Sequence, residues 1–579
     1  MLDLKIVGGT IIDGSGGVPY AGSVGIQGDR IVAIGDINED AARVIDASGK
    51  VVAPGFIDIH THYDAQAFWD PTFSPSCYHG VTTILGGFCG FSIAPLSPES
   101  GAYLLPMLAR VEGMPADTLR AGVPWDWRTF GEFLDRLEGR VLLNAGFFVG
   151  HSAVRRLVMG ERANAGEATD AEIAAMRGLV DQSLAEGALG FSTTVSPSHN
   201  DAEGNPVPSR FASREEILTL ASAVREHEGT SLELLPNLQR FDQEQVNLLV
   251  DYSLAGGRPV NWNVLVVSDG GEQDRERVDR LLEASRVARA RGAEVLALTF
   301  ASAPTIRVNF ISGFVFDSLP GWAPLFKLPL DKRLKVLKDQ FVRDTLEQAA
   351  GKSGGGLNLN CWDEYLVIEA FSPATKRFEG RKIGEIAREL GKSDFATLID
   401  IVVADKLRTS LMREAKGNDA AGFKLRGELW HNDMTIVGAS DAGAHMDMID
   451  TFAFSTLLLQ NAREFGVMSL PEAVHQLTQV PATALGIRDR GLLAKGLYAD
   501  LVVFDGENVG RGPVYTRYDL PGTTAEGRLY ADAIGIDWVV VNGQVVVRDG
   551  EVAQARPGTV FRSGRDTFTR GIPALHEAA

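Results

Sequence analysis

The sequence predicts an α/β fold: a (β/α)8 TIM-like barrel with a small β-sandwich domain built from both chain ends and a long insertion between barrel strands 7 and 8. Eight short apolar runs alternate with amphipathic helices through the middle of the chain, which is typical of a parallel barrel. Both chain ends carry apolar runs separated by glycine and aspartate, which is typical of hairpins. The connection before the eighth run is far too long for a simple crossover, which indicates an insertion.

The two chain ends both carry short apolar runs separated by glycine and aspartate, and we expect these runs to form one domain. They are residues 4–12, 23–27, 30–34, 501–504 and 538–547. Within the last run, Asn542-Gly543 predicts a tight hairpin turn. Because a closed barrel starts and finishes in one place, residues 1–52 and 488–560 are expected to form a composite β-domain. A C-terminal tail is expected over residues 561–579.

The middle of the chain, residues 53–487, is expected to form the barrel. Its candidate strands are residues 54–60, 81–86, 141–149, 188–193, 231–235, 260–266, 294–300 and 435–440. Between most of them lie helices with apolar residues at three- and four-residue spacing. These predicted helices are Trp127–Leu137, Asp170–Glu186, Ser213–Glu228, Gln243–Ala255 and Asp274–Arg291. The insertion, about 301–434, has predicted helices over 331–350 and 394–405. We expect it to roof the site. Its glycine run at 354–356 and the aromatic-rich stretch Phe310–Trp322 could move or line a pocket, and a plain surface connection is the alternative.

Composition and charge narrow the class of protein. The 579 residues are 45% hydrophobic and 23% charged, and no apolar run reaches the roughly eighteen residues of a membrane helix. A net charge of −19 disfavours nucleic acid and anionic membrane as partners, since both need concentrated positive charge. Three cysteines and no signal-like amino terminus favour a cytoplasmic location. The expected partner is a small-molecule substrate, and a homo-oligomer is left open.

Two histidines end the first candidate strand in the run PGFIDIHTH. Strand alternation places His60 and His62 on one face, together with Asp58. Two neutral imidazole nitrogens at the end of one strand can share a metal ion at about 2.0–2.1 Å each. The alternative is that one or both histidines are hydrogen-bonded core residues.

Two further metal-competent side chains lie at the ends of other strands. Cys89, in GGFCGF, follows the second strand, and Asp441, in VGASDAGAH, ends the eighth. Each has a plainer interpretation, as an inert buried cysteine and as a helix cap. Strand eight neighbours strand one in a closed barrel, so the four side chains are expected to meet. His445, four residues after Asp441, is either a supporting residue or polar surface.

Several blocks of the sequence resemble one known family. They are PGFIDIHTH, HGVTTILGGFCGF, GASDAGAH, LPEAVHQLTQVPATALGI, RGLLAKGLYADLVVFD and VVVNGQVVVRDGE. Together these blocks resemble the amidohydrolase superfamily, nearest to the N-acyl-D-amino-acid deacylases, or D-aminoacylases. The resemblance covers about residues 3–550, with a poor match only over the insertion at 301–434.

The resemblance implies a metal-dependent hydrolase. It implies that His60 and His62 are metal ligands, that Cys89 is an unusual cysteine ligand, and that Asp441 is both a ligand and the general base. It also implies one or two divalent ions, usually zinc, which polarise the scissile carbonyl and activate water.

The fifth and sixth strands depart from the family pattern, which commonly places a histidine at the end of each. The fifth reads SLELLPN, with Glu233, and the sixth reads VNWNVLV, with Asn263. Each of these two residues could supply an oxygen ligand or hydrogen-bond the substrate. His151, after the third strand, is a candidate to contact the substrate, and an ordinary hydrogen bond is its alternative. Arg155 and Arg210 are candidate partners for a substrate carboxylate.

The predicted function is hydrolysis of a non-peptide C–N amide bond, with an N-acyl (D-)amino acid as the default substrate. A cyclic amide, a carbamate or an ester on the same scaffold is the alternative substrate class, because fold does not determine substrate. A different metal-dependent reaction, such as decarboxylation, is also open. A barrel that has lost its metal and binds a small molecule without turnover is the alternative from another class.

Overall fold

A computed structural model describes residues 1–351 and 359–572, and its centre is a barrel of parallel strands. The glycine run at 354–356 and the last part of the predicted tail lie outside the described residues. The barrel strands, first to eighth, are Phe56–Asp58, Val81–Gly86, Asn144–Phe147 with Val149–Gly150, Gly190–Thr194, Ser231–Leu235, Val260–Leu265, Val295–Thr299 and Thr435–Val437. All eight predicted strands are therefore present, and neighbouring strands pair in parallel.

The barrel closes where the eighth strand meets the first. The Asp441 backbone N–H donates to the His60 carbonyl at 3.1 Å, and the His62 N–H donates to the Ala442 carbonyl at 2.7 Å. The Ser440 hydroxyl donates to the same His60 carbonyl at 3.0 Å. These bonds join the loop after strand eight to the end of strand one, so side chains from both sequence regions share one barrel mouth.

Some strand boundaries differ from the prediction. The predicted run 54–60 is divided, because Val51–Pro54 pairs with the terminal sheet and only Phe56–Asp58 pairs inside the barrel. The third strand is also divided: Asn144–Phe147 pairs with strand two, and Val149–Gly150 pairs with strand four. Apolar periodicity marks both halves alike, since it reports burial and not the identity of the partner strand.

Helices surround the barrel and pack their apolar faces on it. They are Gln66–Trp69, Pro98–Val111, Ala116–Gly122, Phe130–Leu137, His151–Met159, Asp170–Ala185, Arg214–Ser222, Gln243–Gly256, Glu272–Leu281, Glu283–Ala290, Ala420–Trp430, Phe454–Phe465, Leu470–Leu477 and Gln479–Ala484. Capping boxes fix the starts of several of these helices, for example Thr129 with Glu132 and Thr169 with Glu172. The helix predicted over 213–228 is shorter than expected, because its last turn is a 3-10 helix.

Strands from both chain ends share one nine-stranded sheet. They are Leu2–Ile11, Tyr20–Gln27, Arg30–Gly35, Ala41–Asp46, Val51–Pro54, Leu501–Phe504, Ile536–Val541, Gln544–Arg548 and Glu551–Val552. A further pair, Gly510–Arg517 and Arg528–Ile534, forms a separate two-stranded sheet. The predicted hairpin turn is confirmed, since Asn542 and Gly543 have φ angles of 47° and 76° as a type I′ turn requires.

The stretch between strands seven and eight carries its own small core. Its three-stranded antiparallel sheet contains Arg307–Val308, Leu366–Glu369 and Ser410–Met412. Its helices are Ala323–Phe326, Leu330–Val336, Gln340–Ala350, Ile383–Leu390 and Asp394–Ala404. A cluster of buried side chains that includes Phe316, Trp322 and Trp362 fills the space between them. Within the described residues, no helix combines the length and the apolar character that crossing a membrane requires.

Candidate metal centre and active site

Three buried side chains converge at the mouth of the barrel. One ligand atom from each of His60, His62 and Cys89 lies within 4.8 Å of the others. The Cys89 thiol is 3.7 Å from His60 Nε2, and the two imidazole rings are 5.4 Å apart between centroids. Two nitrogens and a sulfur in this arrangement form a donor set that suits a borderline-soft divalent ion.

The chain reaches this arrangement through a tight loop after the second strand. Cys89 has a backbone φ of 56°, in the left-handed region that residues other than glycine seldom adopt. A Cβ at Gly87 would lie 2.1 Å from the Phe148 carbonyl oxygen, so only glycine allows this close approach. Phe88 stacks on the His60 ring at 4.7 Å and fixes its plane. The loop therefore aims the thiol at the imidazoles.

Asp441 meets the same cluster from the other side of the barrel seam. Its Oδ1 is 3.3 Å from His60 Nε2 and 3.5 Å from His62 Nε2. Its φ is 50°, which again indicates a locally strained residue of the kind found at functional sites. Burial alone would raise the pKa of Asp441, but hydrogen bonds from His60 and His62 hold that pKa well below its usual value. The carboxylate is therefore ionised at neutral pH.

Acidic groups accumulate around the cluster. Burial, reinforced by the Glu233 carboxylate, raises the pKa of the Cys89 thiol well above its usual value. Burial also raises the pKa of Glu233 well above its usual value and that of Glu112 to about 7. Among the described residues, Glu112 has His62 as its only ion-pair partner, and Glu233 contacts no lysine or arginine. A buried, electron-rich donor set of this kind fits a divalent cation, which would supply the missing positive charge.

Glu233 on strand five and Asn263 on strand six both reach the cluster. Glu233 Oε2 accepts a hydrogen bond from the Cys89 backbone N–H at 3.1 Å, and its Oε1 has no hydrogen-bond partner. Asn263 Nδ2 lies 3.2 Å from the Cys89 sulfur and 3.4 Å from His60 Nε2. Both side chains therefore reach the cluster from strands five and six. Their predicted contact with substrate stays a prediction.

His151 and the two candidate arginines lie in other hydrogen-bond networks. Both ring nitrogens of His151 are engaged, Nδ1 with Thr193 at 2.8 Å and Nε2 with Glu216 at 2.9 Å. Arg155 also pairs with Glu216, and all three side chains are buried. Arg210 donates to the carbonyl of His199 at 2.9 Å. His151 thus presents no free nitrogen to a substrate, and its predicted substrate contact stays a prediction.

Other residues of the site were not predicted from the sequence. Glu112 follows the helix Pro98–Val111, and its Oε1 is 3.6 Å from His62 Nδ1. Asp64 accepts from the Gly87 N–H at 3.0 Å and so anchors the Cys89 loop. Strand alternation did place Asp58 on the ligand face, where burial raises its pKa to about 8. No sequence signal points to Glu112, because a lone glutamate after a helix has many ordinary roles.

A cavity of about 380 Å³ lies between the barrel and the insertion, and its lining includes none of His60, His62, Cys89 and Asp441. Gly113, next to Glu112, lines it on the barrel side, and Phe314 lines it on the side of the insertion. The Phe314 ring packs 4.9 Å from that of His445, whose backbone N–H donates to the Glu112 carbonyl. His445 therefore links the insertion to the site, and the cavity offers room for a small-molecule substrate.

Comparison with known sequences identifies the family. The sequence model of the amidohydrolase family matches residues 43–305 and 367–547. The match leaves a gap at 306–366, which lies inside the predicted insertion at 301–434. The second half of the insertion carries family-like sequence that the short blocks above did not include.

Individual relatives agree with the family match. The chain is 29% identical to an N-acyl-D-aspartate deacylase of Alcaligenes xylosoxydans xylosoxydans, over 97% of this chain and 95% of that protein. It is also 29% identical to a D-aminoacylase of the same organism, over 96% and 97% of the two chains. A solved D-aminoacylase with a binuclear metal centre is 26% identical and superimposes with a TM-score of 0.63, covering 97% of this chain and 100% of that one. The chain belongs to the amidohydrolase family, as a hydrolase of carbon–nitrogen bonds other than peptide bonds that resembles the N-acyl-D-amino-acid deacylases.

Proposed function

We propose that this chain hydrolyses the amide bond of an N-acyl amino acid, with the D-enantiomer as the preferred substrate. His60, His62, Cys89 and Asp441 would hold a divalent metal, most simply zinc. The observation that carries the proposal is the meeting of these four side chains across the barrel seam. Support for the substrate class comes from the relatives, which are an N-acyl-D-aspartate deacylase and a D-aminoacylase.

The residues divide the chemistry between them. A divalent metal bound here would polarise the scissile carbonyl and lower the pKa of the attacking water. Asp441, ionised and half-buried, accepts the proton of that water and passes it to the leaving amine. His60 and His62 hold the Asp441 oxygen in the barrel mouth from one side. A substrate in the cavity lined by Gly113 would lie next to Glu112, whose carboxylate faces His62.

A substrate panel tests this proposal. N-acyl-D- and N-acyl-L-amino acids, cyclic amides, carbamates and esters would be assayed at equal concentrations with a metal count on the same sample. We expect the highest kcat/KM with an N-acyl-D-amino acid and about one or two divalent ions per chain. Exclusive turnover of cyclic amides or esters would overturn the substrate class, and full activity without metal would overturn the mechanism.

A second candidate function follows from one observation. Strands five and six lack the two histidines and carry Glu233 and Asn263 in the corresponding region of the cluster. A barrel that binds a small molecule without turnover would tolerate this loss. Such a protein would show ligand affinity but no product with any member of the panel.

Glu112 offers a test of how the cluster is supported. We expect Glu112→Gln to raise the dissociation constant for zinc by about 10- to 100-fold, because it removes the charge that orients His62 through Nδ1. Competition with a chromophoric chelator measures the constant. Glu99→Gln, an exposed change on the helix that precedes Glu112, is the control and should leave the constant unchanged. Equal constants for Glu112→Gln and the natural protein would show that Glu112 does not support the ligand.

A further inference from the structure

The side chain of Asn263 points at the metal-competent cluster formed by His60, His62 and Cys89. It lies on the sixth barrel strand, Val260–Leu265, and its side chain is 6% exposed. Its amide nitrogen approaches the Cys89 sulfur at 3.2 Å and His60 Nε2 at 3.4 Å. Both of those atoms belong to the metal-competent cluster. The amide therefore faces the same point as the proposed ligands and not the neighbouring cavity.

The hydrogen bonds around this amide are unbalanced. Asn263 Oδ1 is buried and has no partner, while Nδ2 faces His60 Nε2. His60 Nε2 is also 3.3 Å from Asp441 Oδ1. Once Nε2 binds a metal ion, its lone pair is no longer available to accept a hydrogen bond from the amide N–H. A half-turn of the amide exchanges its oxygen and nitrogen with almost no change of shape. That rotation would place the unpartnered oxygen against the cluster.

We propose that Asn263 is a metal ligand through its side-chain amide oxygen, in place of an imidazole. This inference rests on the proposed metal-dependent function. An amide N–H aimed at a cation is repelled, whereas the amide oxygen is attracted, so the bound ion itself selects the rotated amide. Glu233 also has a buried oxygen without a partner, Oε1, but its Oε2 accepts from the backbone N–H of Cys89 and so holds the loop in place.

Asn261 provides a natural comparison on the same strand. It lies two residues earlier and therefore on the same face, one pleat repeat further from the mouth. Its Nδ2 donates to the Leu232 carbonyl at 3.2 Å, which is a bond to the neighbouring strand. The two asparagines share burial and chemistry, but only Asn263 contacts the cluster.

The proposed ligand changes the metal preference of the site. An amide oxygen is a harder donor than an imidazole nitrogen, and zinc favours nitrogen and sulfur ligands. We therefore expect weaker zinc binding than a site with an imidazole in this position would show. The relative affinity for harder ions such as Mn²⁺ should be correspondingly higher.

Metal titrations of the full chain test the inference. Zn²⁺, Co²⁺ and Mn²⁺ would be titrated against the natural protein, Asn263→Ala, Asn263→His and Asn261→Ala, with circular dichroism to check folding. We expect Asn263→Ala to raise the zinc dissociation constant by at least about tenfold and to change the visible d–d absorption of the Co²⁺ form. Asn263→His should lower the zinc dissociation constant and reduce the relative affinity for Mn²⁺. Asn261→Ala should match the natural protein.

The outcomes separate this inference from the proposed function. An unchanged zinc dissociation constant and an unchanged Co²⁺ spectrum in folded Asn263→Ala would overturn the ligand assignment alone, and a rise in KM in that variant would make Asn263 a substrate contact. A changed spectrum and constant, together with no turnover of any panel substrate by the natural protein, would support the ligand and overturn the function. A natural protein that binds no divalent metal would overturn both.

Discussion

Asp441→Asn is expected to lower kcat by about 10²- to 10⁴-fold while leaving the fold intact. The amide cannot accept the proton of the attacking water, and it cannot return one to the leaving amine. The hydrogen bonds from His60 and His62 hold the pKa of the Asp441 carboxyl well below its usual value, although burial opposes this. The natural carboxylate is therefore ready to act as a base at neutral pH. Steady-state kinetics with the best panel substrate, together with circular dichroism, measures the loss.

A matched control lies at the opposite end of the same barrel strand. Asp433 is exposed, pairs with Arg289 at 3.1 Å and precedes the strand Thr435–Val437, whereas Asp441 follows it. Asp433→Asn should keep the natural kcat. If Asp441→Asn retained the natural kcat, the assignment of the general base would be wrong. If the natural protein and Asp441→Asn both bound ligand equally and neither turned it over, the non-catalytic binding barrel would replace the hydrolase.

The barrel could be predicted because its strands are buried on both faces and its helices on one. Continuous apolar runs such as Val81–Gly86 and Ser231–Leu235 have the bounds that the sequence indicated. The divided first and third strands were predicted as single runs, because hydrophobicity does not specify the sheet that each half joins. Pro54-Gly55 lies at the division of the first strand.

The site was predictable where topology alone places a residue. His60, Cys89 and Asp441 follow strands that neighbour one another in any closed barrel, and the structure brings them together. Glu112 could not be predicted in the same way. It follows a helix, and its position beside His62 depends on how that helix and the loop at His445 pack. Tertiary contacts of this kind leave no local pattern in a single sequence.

Three residues at the site have strained backbone conformations. Cys89, Asp441 and His445 all have φ between 46° and 56°, although none is glycine. Such conformations cost about 1–3 kcal/mol each and persist only where surrounding contacts impose them. The seam bonds of His60, the Asp64 bond to Gly87 and the Glu112 contact with the His445 backbone are those contacts. Strain gathered at three residues of two loops around one cluster favours a functional origin over a structural one.

Replacement of either strand-one imidazole is expected to remove the metal. His60→Asn and His62→Asn each keep a polar side chain of similar bulk but lose an Nε2 ligand that faces Asp441. We expect metal content to fall below about a tenth of the natural value after dialysis, since a site with few ligands cannot spare one. Turnover should fall in proportion. Elemental analysis by inductively coupled plasma mass spectrometry measures the metal.

His227→Asn is the matched control for both variants, because His227 pairs with Asp181 at 2.8 Å and is partly exposed. It should keep its full metal content and its full kcat. Full metal content in His60→Asn and His62→Asn alike would place the ion elsewhere and contradict the ligand set. Loss of metal in only one of them would instead identify the dominant imidazole. His62 is the expected one, because its second nitrogen faces the Glu112 carboxylate, whereas His60 Nδ1 has no partner among the described residues.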